Sequence, residues 1–118
     1  MFGGLGGVGF KGKKIIAKYP AIPTRAPDAV VEEKSPAKTA FIYRLNGDIN
    51  PHHIDPNFSA VGGFERPMNQ RLATFGFTAR LIDEKYCNGD PEAMTKFSGR
   101  FVSDFCPGEA FVVEHWKE

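Results

Sequence analysis

The stretch PMNQRLATFGFTARLIDEKY, residues 67–86, decides the architecture of this chain. Met68, Leu72, Phe75, Ala79, Ile82 and Tyr86 advance by four, three, four, three and four, which draws one apolar stripe along a helix. Pro67 fits the start of such a helix. Gly76, in its middle, costs about 1 kcal/mol against alanine, so its presence points to another backbone or a ligand approaching closely there. The spacing predicts a helix over 68–86 that lies almost wholly buried at the centre of the domain.

Outward from that helix the pattern changes. Downstream, Phe97, Gly99, Phe101, Ser103 and Phe105 alternate with polar neighbours, "CPGE" makes a turn, and Ala110 to Trp116 is strand-like again. These read as antiparallel neighbours. Upstream, "SPAKTAFIYRLNG" offers Ser35 as a cap, Pro36 for a first turn and Asn46-Gly47 for a stop, which predicts a helix of about three turns. Before it, a proline-punctuated segment carries short strand-like pieces at Ile15 to Ala17 and Ala29 to Val31. Strands with one dominant helix against their face make an α+β domain.

At 118 residues the chain is one domain, spanning 1–118, with residues 1–14 a flexible glycine-rich lead-in. That lead-in satisfies GxGxxG at Gly4, Gly6 and Gly9, and GxxxxGK from Gly7 to Lys13. A dinucleotide loop needs a strand before it and a helix after it, and only three residues precede Gly4. Lys14 stands where a phosphate loop needs Ser or Thr. Neither motif is taken as a nucleotide site. A net charge of +1 argues against a nucleic-acid or membrane surface held by bulk electrostatics, and no apolar run is long enough to span a bilayer. No export leader is visible, so Cys87 and Cys106 are expected to be reduced thiols. Eleven phenylalanines can build a core or wall an apolar slot, and composition does not choose between them.

Chemistry concentrates in "GDINPHHIDPNFSAVGGFERP", residues 47–67. Rigid polar loops are where scaffolds present reactive groups. Asp48 and His53 stand five positions apart, with Asn50 and Pro51 between them. Asp48 follows a helix C-terminus, whose unpaired carbonyls disfavour an ionised carboxylate. A carboxyl beside an imidazole can hold one water and work as an acid/base pair, with Asn50 orienting either partner. The same residues are also common turn formers, and Asp48 has the option of bonding backbone amides two residues on. His52, Asp55 and His115 carry less weight, as turn-forming or solvated side chains. No ligand spacing supports a metal site.

The segment from Tyr43 to Pro67 resembles the hydratase signature of the MaoC-like family, in particular its (R)-specific enoyl-CoA hydratases. Those carry YRLSGDxNPLHxDPxxA followed by GFxxPxLHGLxTxG. "GDINPHHIDPNFSA" keeps the Asp, Asn, Pro, second His and second Asp, and "TFGFTAR" continues the match into the long helix. Pieces from the first "FGG" to the final "W" fall in the family's order, so the likeness covers nearly the whole chain. The resemblance implies a hot-dog fold, an antiparallel sheet wrapped around a long central helix. It implies reversible hydration of trans-2-enoyl-CoA to (R)-3-hydroxyacyl-CoA by Asp48 and His53, positioned by Asn50. The thioester oxygen would be stabilised by backbone amides at the first turn of the central helix, that of Arg71 among them, with Gln70, Phe75 and Gly76 along the substrate. No metal or cofactor is implied beyond the CoA thioester itself.

The chain departs from the pattern where the family has LHG and it has Asn69-Gln70-Arg71. A backbone amide survives that change, while the guanidinium stem stands where a thioester must pass. Family domains also continue with further strand after the tryptophan, whereas Glu118 closes this sequence, which leaves C-terminal strand wanting and a sheet edge to be paired. A homodimer is the natural expectation. Two alternatives stay open: a weak or inactive hot-dog module for acyl-thioester binding or dimerisation, and a dehydratase acting on an acyl carrier protein. The expected setting is intracellular, peroxisomal or cytoplasmic; the terminal "HWKE" is not an SKL-type signal.

Overall fold

The computed structural model describes residues 19–117. The glycine-rich lead-in at 1–14 and the strand-like piece at Ile15 to Ala17 lie outside the described residues. In chain order the elements are β1 (Ala29–Lys34), α1 (Thr39–Leu45), a 3-10 turn (Pro51–His53), α2 (Pro56–Val61), α3 (Arg71–Tyr86) and β2 (Ala110–His115). β1 and β2 pair antiparallel, with Ala29 opposite His115 and Lys34 opposite Ala110. Side chains alternate along both strands, so Val31 and Glu33 share one face with Phe111, Val113 and His115.

That face receives α3. Phe111 is buried, stacked on Phe105 at 4.1 Å between ring centroids and 5.2 Å from Phe77 of α3. Further along, Tyr86 meets His115 at 5.3 Å, so His115 is buried rather than solvated. Burial, with the charge of Lys85 adding to it, pushes the His115 imidazole below its ordinary value. Arg80 on α3 ties back to Glu33 of β1 and to Glu84 one turn on. The expected strand at Ala29 is thus present and longer, with β2 as its partner.

Four expectations are corrected. The long helix starts at Arg71, because Met68, Asn69 and Gln70 are extended: the N–H of Asn69 donates to the Phe105 carbonyl at 2.7 Å, and the Met68 carbonyl is taken by His53. The helix is also not wholly buried. Its buried line is Ala73 and Leu81 with half-buried Phe77 between, on nearly the opposite face from the stripe the spacing suggested, and Leu72 is 67 % exposed. Among the described residues a ribbon of two strands covers only one side of the sixteen-residue helix. Residues 97–105 form no ladder; Phe97 and Phe101 instead pack their rings on Phe75 at 4.4 and 6.2 Å. Finally, α1 begins at Thr39 and makes two turns rather than three. Ser35 is drawn away from capping, since its hydroxyl accepts from the Gly108 N–H at 2.9 Å and its own N–H donates to the Glu109 carbonyl at 2.9 Å. The stop at Asn46-Gly47 is as expected, with Gly47 at φ +108°, a conformation that favours glycine. Cys87 and Cys106 are both free thiols.

The segment before β1 is stitched to the end of β2. Asp28 accepts from Arg25 Nη1 and Nη2 at 2.7 and 2.8 Å and from the Lys117 N–H at 2.7 Å, while Trp116 Nε1 donates to the Arg25 carbonyl. The Arg25 guanidinium, then the Lys117 amide, hold the Asp28 carboxyl down at about 2 against an ordinary 3.8. A folded-state value below the unfolded one means a contribution complete above the unfolded value and lost as pH falls through the folded one. The stability gap between wild type and Asp28→Asn is therefore expected to be full at about pH 5 and to close towards about pH 2. Thermal melts at both values measure it, and a gap of constant size speaks against the latch.

Candidate active site

A ladder of short-range bonds builds the site from the end of α1. Asp48 Oδ1 accepts from the Asn50 N–H at 3.3 Å, and Asn50 Oδ1 accepts from the His52 N–H at 3.2 Å, which caps the 3-10 turn. Asp55 caps α2 by accepting from the N–H groups of Asn57 and Phe58, with Pro56 at the first helical position. Ser59, with no exposed surface at all, then donates its hydroxyl to the His52 carbonyl at 2.6 Å. The turn carrying the two histidines is thereby pinned at both ends.

His53 ends up facing Asp48. Its Nδ1 lies 2.9 Å from the Met68 carbonyl. A carbonyl oxygen only accepts, so Nδ1 carries the hydrogen and Nε2 presents a lone pair. That Nε2 stands 3.8 Å from Asp48 Oδ2. The separation is too long for a direct hydrogen bond, and a water to one side of the pair can touch both atoms. The two Asp48 carboxylate oxygens are divided: one accepts the turn bond and the other faces the imidazole. The Asn50 side chain bonds the His52 backbone rather than the side chain of Asp48 or His53. The His52 ring packs edge-on to Phe64 at 4.7 Å. Burial, reinforced by the neighbouring His53, pushes its pKa below the ordinary value.

Asp48, Asn50, His52 and His53 line a cleft of about 510 Å³ together with Tyr43, Gln70 and Arg71. Tyr43 and Leu72 are shared with an adjoining groove of about 370 Å³, walled by Ile42, Ala73, Gly76 and Phe77. Gly76 lies in that groove, where an added Cβ would meet no atom from elsewhere in the described residues within 4 Å. The close approach its position suggested is not made by any described residue. Phe75 is a correction: it faces the other side of α3, with Phe97 and Phe101, and does not line the cleft. Arg71 is exposed, its Nη2 3.4 Å from Asp104 Oδ1. As the first residue of α3, it offers a backbone N–H with no acceptor inside the helix, and Leu72 offers the next.

Sequence reasoning missed Ser59 and the Met68 carbonyl. Asp55-Pro56 is a helix-start signal that identifies α2, and Ser59 sits on its inner face. The Met68 contact joins residues fifteen apart and leaves no local trace. Among the described residues no group of three or more His, Cys, Asp or Glu is placed to hold a metal ion. No helix among them is long and apolar enough to cross a membrane.

An antiparallel sheet with one long helix laid on it is the hot-dog arrangement shared with solved MaoC-like structures. The chain belongs to the MaoC-like family: residues 18–118 match the family described as "MaoC like domain". It is 40% identical over 117 residues to peroxisomal multifunctional enzyme type 2 of Mus musculus, covering 97% of this chain and 16% of that protein. It is 44% identical over 97 residues to the peroxisomal enoyl-CoA hydratase 2 of Arabidopsis thaliana, covering 82% of this chain and 31% of that protein. The solved full-length peroxisomal multifunctional enzyme type 2 of Drosophila melanogaster superposes with a TM-score of 0.78 at 33% identity, over 92% of this chain and 20% of that one. A MaoC-like dehydratase from Phytophthora capsici gives 0.73 at 36% identity, over 86% and 37% of the two chains. The chain thus spans less than two fifths of the length of each of these relatives.

Proposed function

We propose that this chain catalyses the reversible hydration of trans-2-enoyl-CoA to (R)-3-hydroxyacyl-CoA. One observation carries the reading: Asp48 Oδ2 and His53 Nε2 face each other across 3.8 Å inside a cleft that opens into an apolar groove. A water held by the pair gives up a proton as its oxygen bonds to C3, and C2 receives a proton, so that one water is added across the double bond. Charge passing to the thioester oxygen is met by the N–H groups of Arg71 and Leu72 at the positive end of α3. The acyl chain runs along Ile42, Leu72 and Gly76, filling the space left open beside the glycine. The Arg71 guanidinium sits where a CoA phosphate or carboxylate can meet it. The reaction as written calls on no metal or redox group.

A homodimer is part of the proposal. Phe41, Ile42, Leu45, Val61 and Leu72 are exposed apolar side chains, and a second copy of the chain would cover such surface. The word peroxisomal in the names of the mouse and Arabidopsis relatives supports a peroxisomal setting over a cytoplasmic one.

The test is addition of the protein to crotonyl-CoA and to a medium-chain 2-enoyl-CoA. The conjugated absorbance should fall, and should be regained from the 3-hydroxyacyl-CoA. A non-catalytic acyl-thioester-binding module is the second reading, favoured by the Arg71 side chain standing in the cleft. Saturated acyl-CoA bound without any turnover of either enoyl-CoA would decide for it.

A further inference from the structure

Gln70 carries a buried acceptor that no described residue uses. The residue is 3 % exposed and lines the cleft beside His53 and Arg71. Its Nε2 donates to the Ala40 carbonyl at 3.4 Å. Since that carbonyl can only accept, the bond fixes which way the amide is turned. Oε1 is left as the free end, buried and without a donor. Buried polar atoms are nearly always paired, so an orphan beside a cleft points to a donor supplied from outside.

Resting on the hydratase reading above, we infer that Gln70 Oε1 accepts a hydrogen bond from the 3-hydroxyl of the hydroxyacyl thioester, a bond made only as the C3–O bond forms. The chemistry of the ligand narrows the choice. An enoyl chain brings no donor near C3, because C2 and C3 carry only C–H bonds. The hydroxyacyl form brings one, on the atom that must lie against Asp48 and His53. Gln70 also directly precedes Arg71, whose N–H meets the thioester oxygen three bonds from C3. Gln70 is thus a residue that distinguishes the hydrated from the unsaturated form of one substrate.

An interaction made with the hydroxyl in the bound product and in the transition state, but absent from the bound enoyl form, has an unequal kinetic signature. In Gln70→Met, KM for dehydration should rise about tenfold at nearly constant kcat. In hydration kcat should fall about tenfold at nearly constant KM, as the fixed overall equilibrium requires. A merely structural loss lowers kcat alike in both directions. A second arm leaves Gln70 in place. In an Asp48→Asn chain, slow enough to titrate, 3-hydroxyacyl-CoA should bind about tenfold more tightly than the saturated acyl-CoA of equal length. Adding Gln70→Met should erase that difference and leave the saturated ligand's affinity unchanged. Equal affinities for the two ligands, a preference that survives Gln70→Met, or symmetric kinetic losses would overturn the inference while the hydratase reading stands. A wild-type protein that neither binds nor turns over any acyl-CoA takes both down.

Discussion

Replacing either member of the pair, as Asp48→Asn or His53→Gln, is expected to lower hydration of a 2-enoyl-CoA by about 10²–10⁴ without changing the melting temperature. The two substitutions are chosen so that only chemistry is removed. Asparagine keeps an oxygen to accept from the Asn50 N–H, so the turn survives, but it has no carboxylate to face the imidazole. Glutamine keeps an amide hydrogen that can serve the Met68 carbonyl, but it has no basic nitrogen in place of Nε2. Asp48→Ala should differ from Asp48→Asn: it loses the turn bond as well as the charge, so stability drops along with activity. Steady-state rates and thermal melts on the same preparations separate the two. Turnover within tenfold of wild type in either conservative variant removes the pair from the mechanism.

What the sequence makes legible here follows from how far each contact reaches. Asp48, Asn50 and His52 bond one another at a spacing of two, Asn46-Gly47 closes α1 onto its own carbonyls, and Asp55 caps the helix that starts beside it. Such features are written in consecutive residues, and the five-residue spacing of Asp48 and His53 is fixed by them. Tertiary partners decide the rest. Ser35 has the chemistry of a helix cap, yet Gly108 and Glu109 claim it from seventy-odd residues away. Met68, Asn69 and Gln70 fit a helical stripe, yet Phe105, His53 and Ala40 take their backbone or side-chain groups and hold them extended. Phe97, Phe101 and Phe105, four apart with Gly99 and Ser103 between, read as one face of a strand, but rings also recur this way when an extended run lies against a helix, as it does on Phe75. Asn69 is the sharpest case. It is 2 % exposed, and neither of its side-chain polar atoms has a partner among the described residues, a burial that its polarity argues against and that no local pattern announces.

The departure at residues 69–71 turns on whether the chemistry needs the Arg71 backbone or tolerates its side chain, and two variants at that position separate them. Arg71→Ala removes the guanidinium and keeps the N–H, so kcat should change little, while KM rises if the side chain meets a phosphate of CoA. Arg71→Pro removes the guanidinium and the N–H together. Proline is well suited to the first position of a helix, where no intrahelical bond is lost. Gln70 before it already has φ −61° and ψ 132°, the extended backbone that a residue preceding proline adopts. The fold should therefore accept the change. The cost is the loss of one donor aimed at the developing oxyanion, which lowers kcat by about 10²–10³ relative to Arg71→Ala. The Leu72 N–H remains, which keeps the loss to that of a single donor. Equal kcat values for the alanine and proline variants, with equal melting temperatures, would mean that the thioester oxygen is not stabilised at the start of α3. The ligand would then have to lie across the cleft in some other direction, with the Arg71 side chain rather than its amide as the nearest positive group.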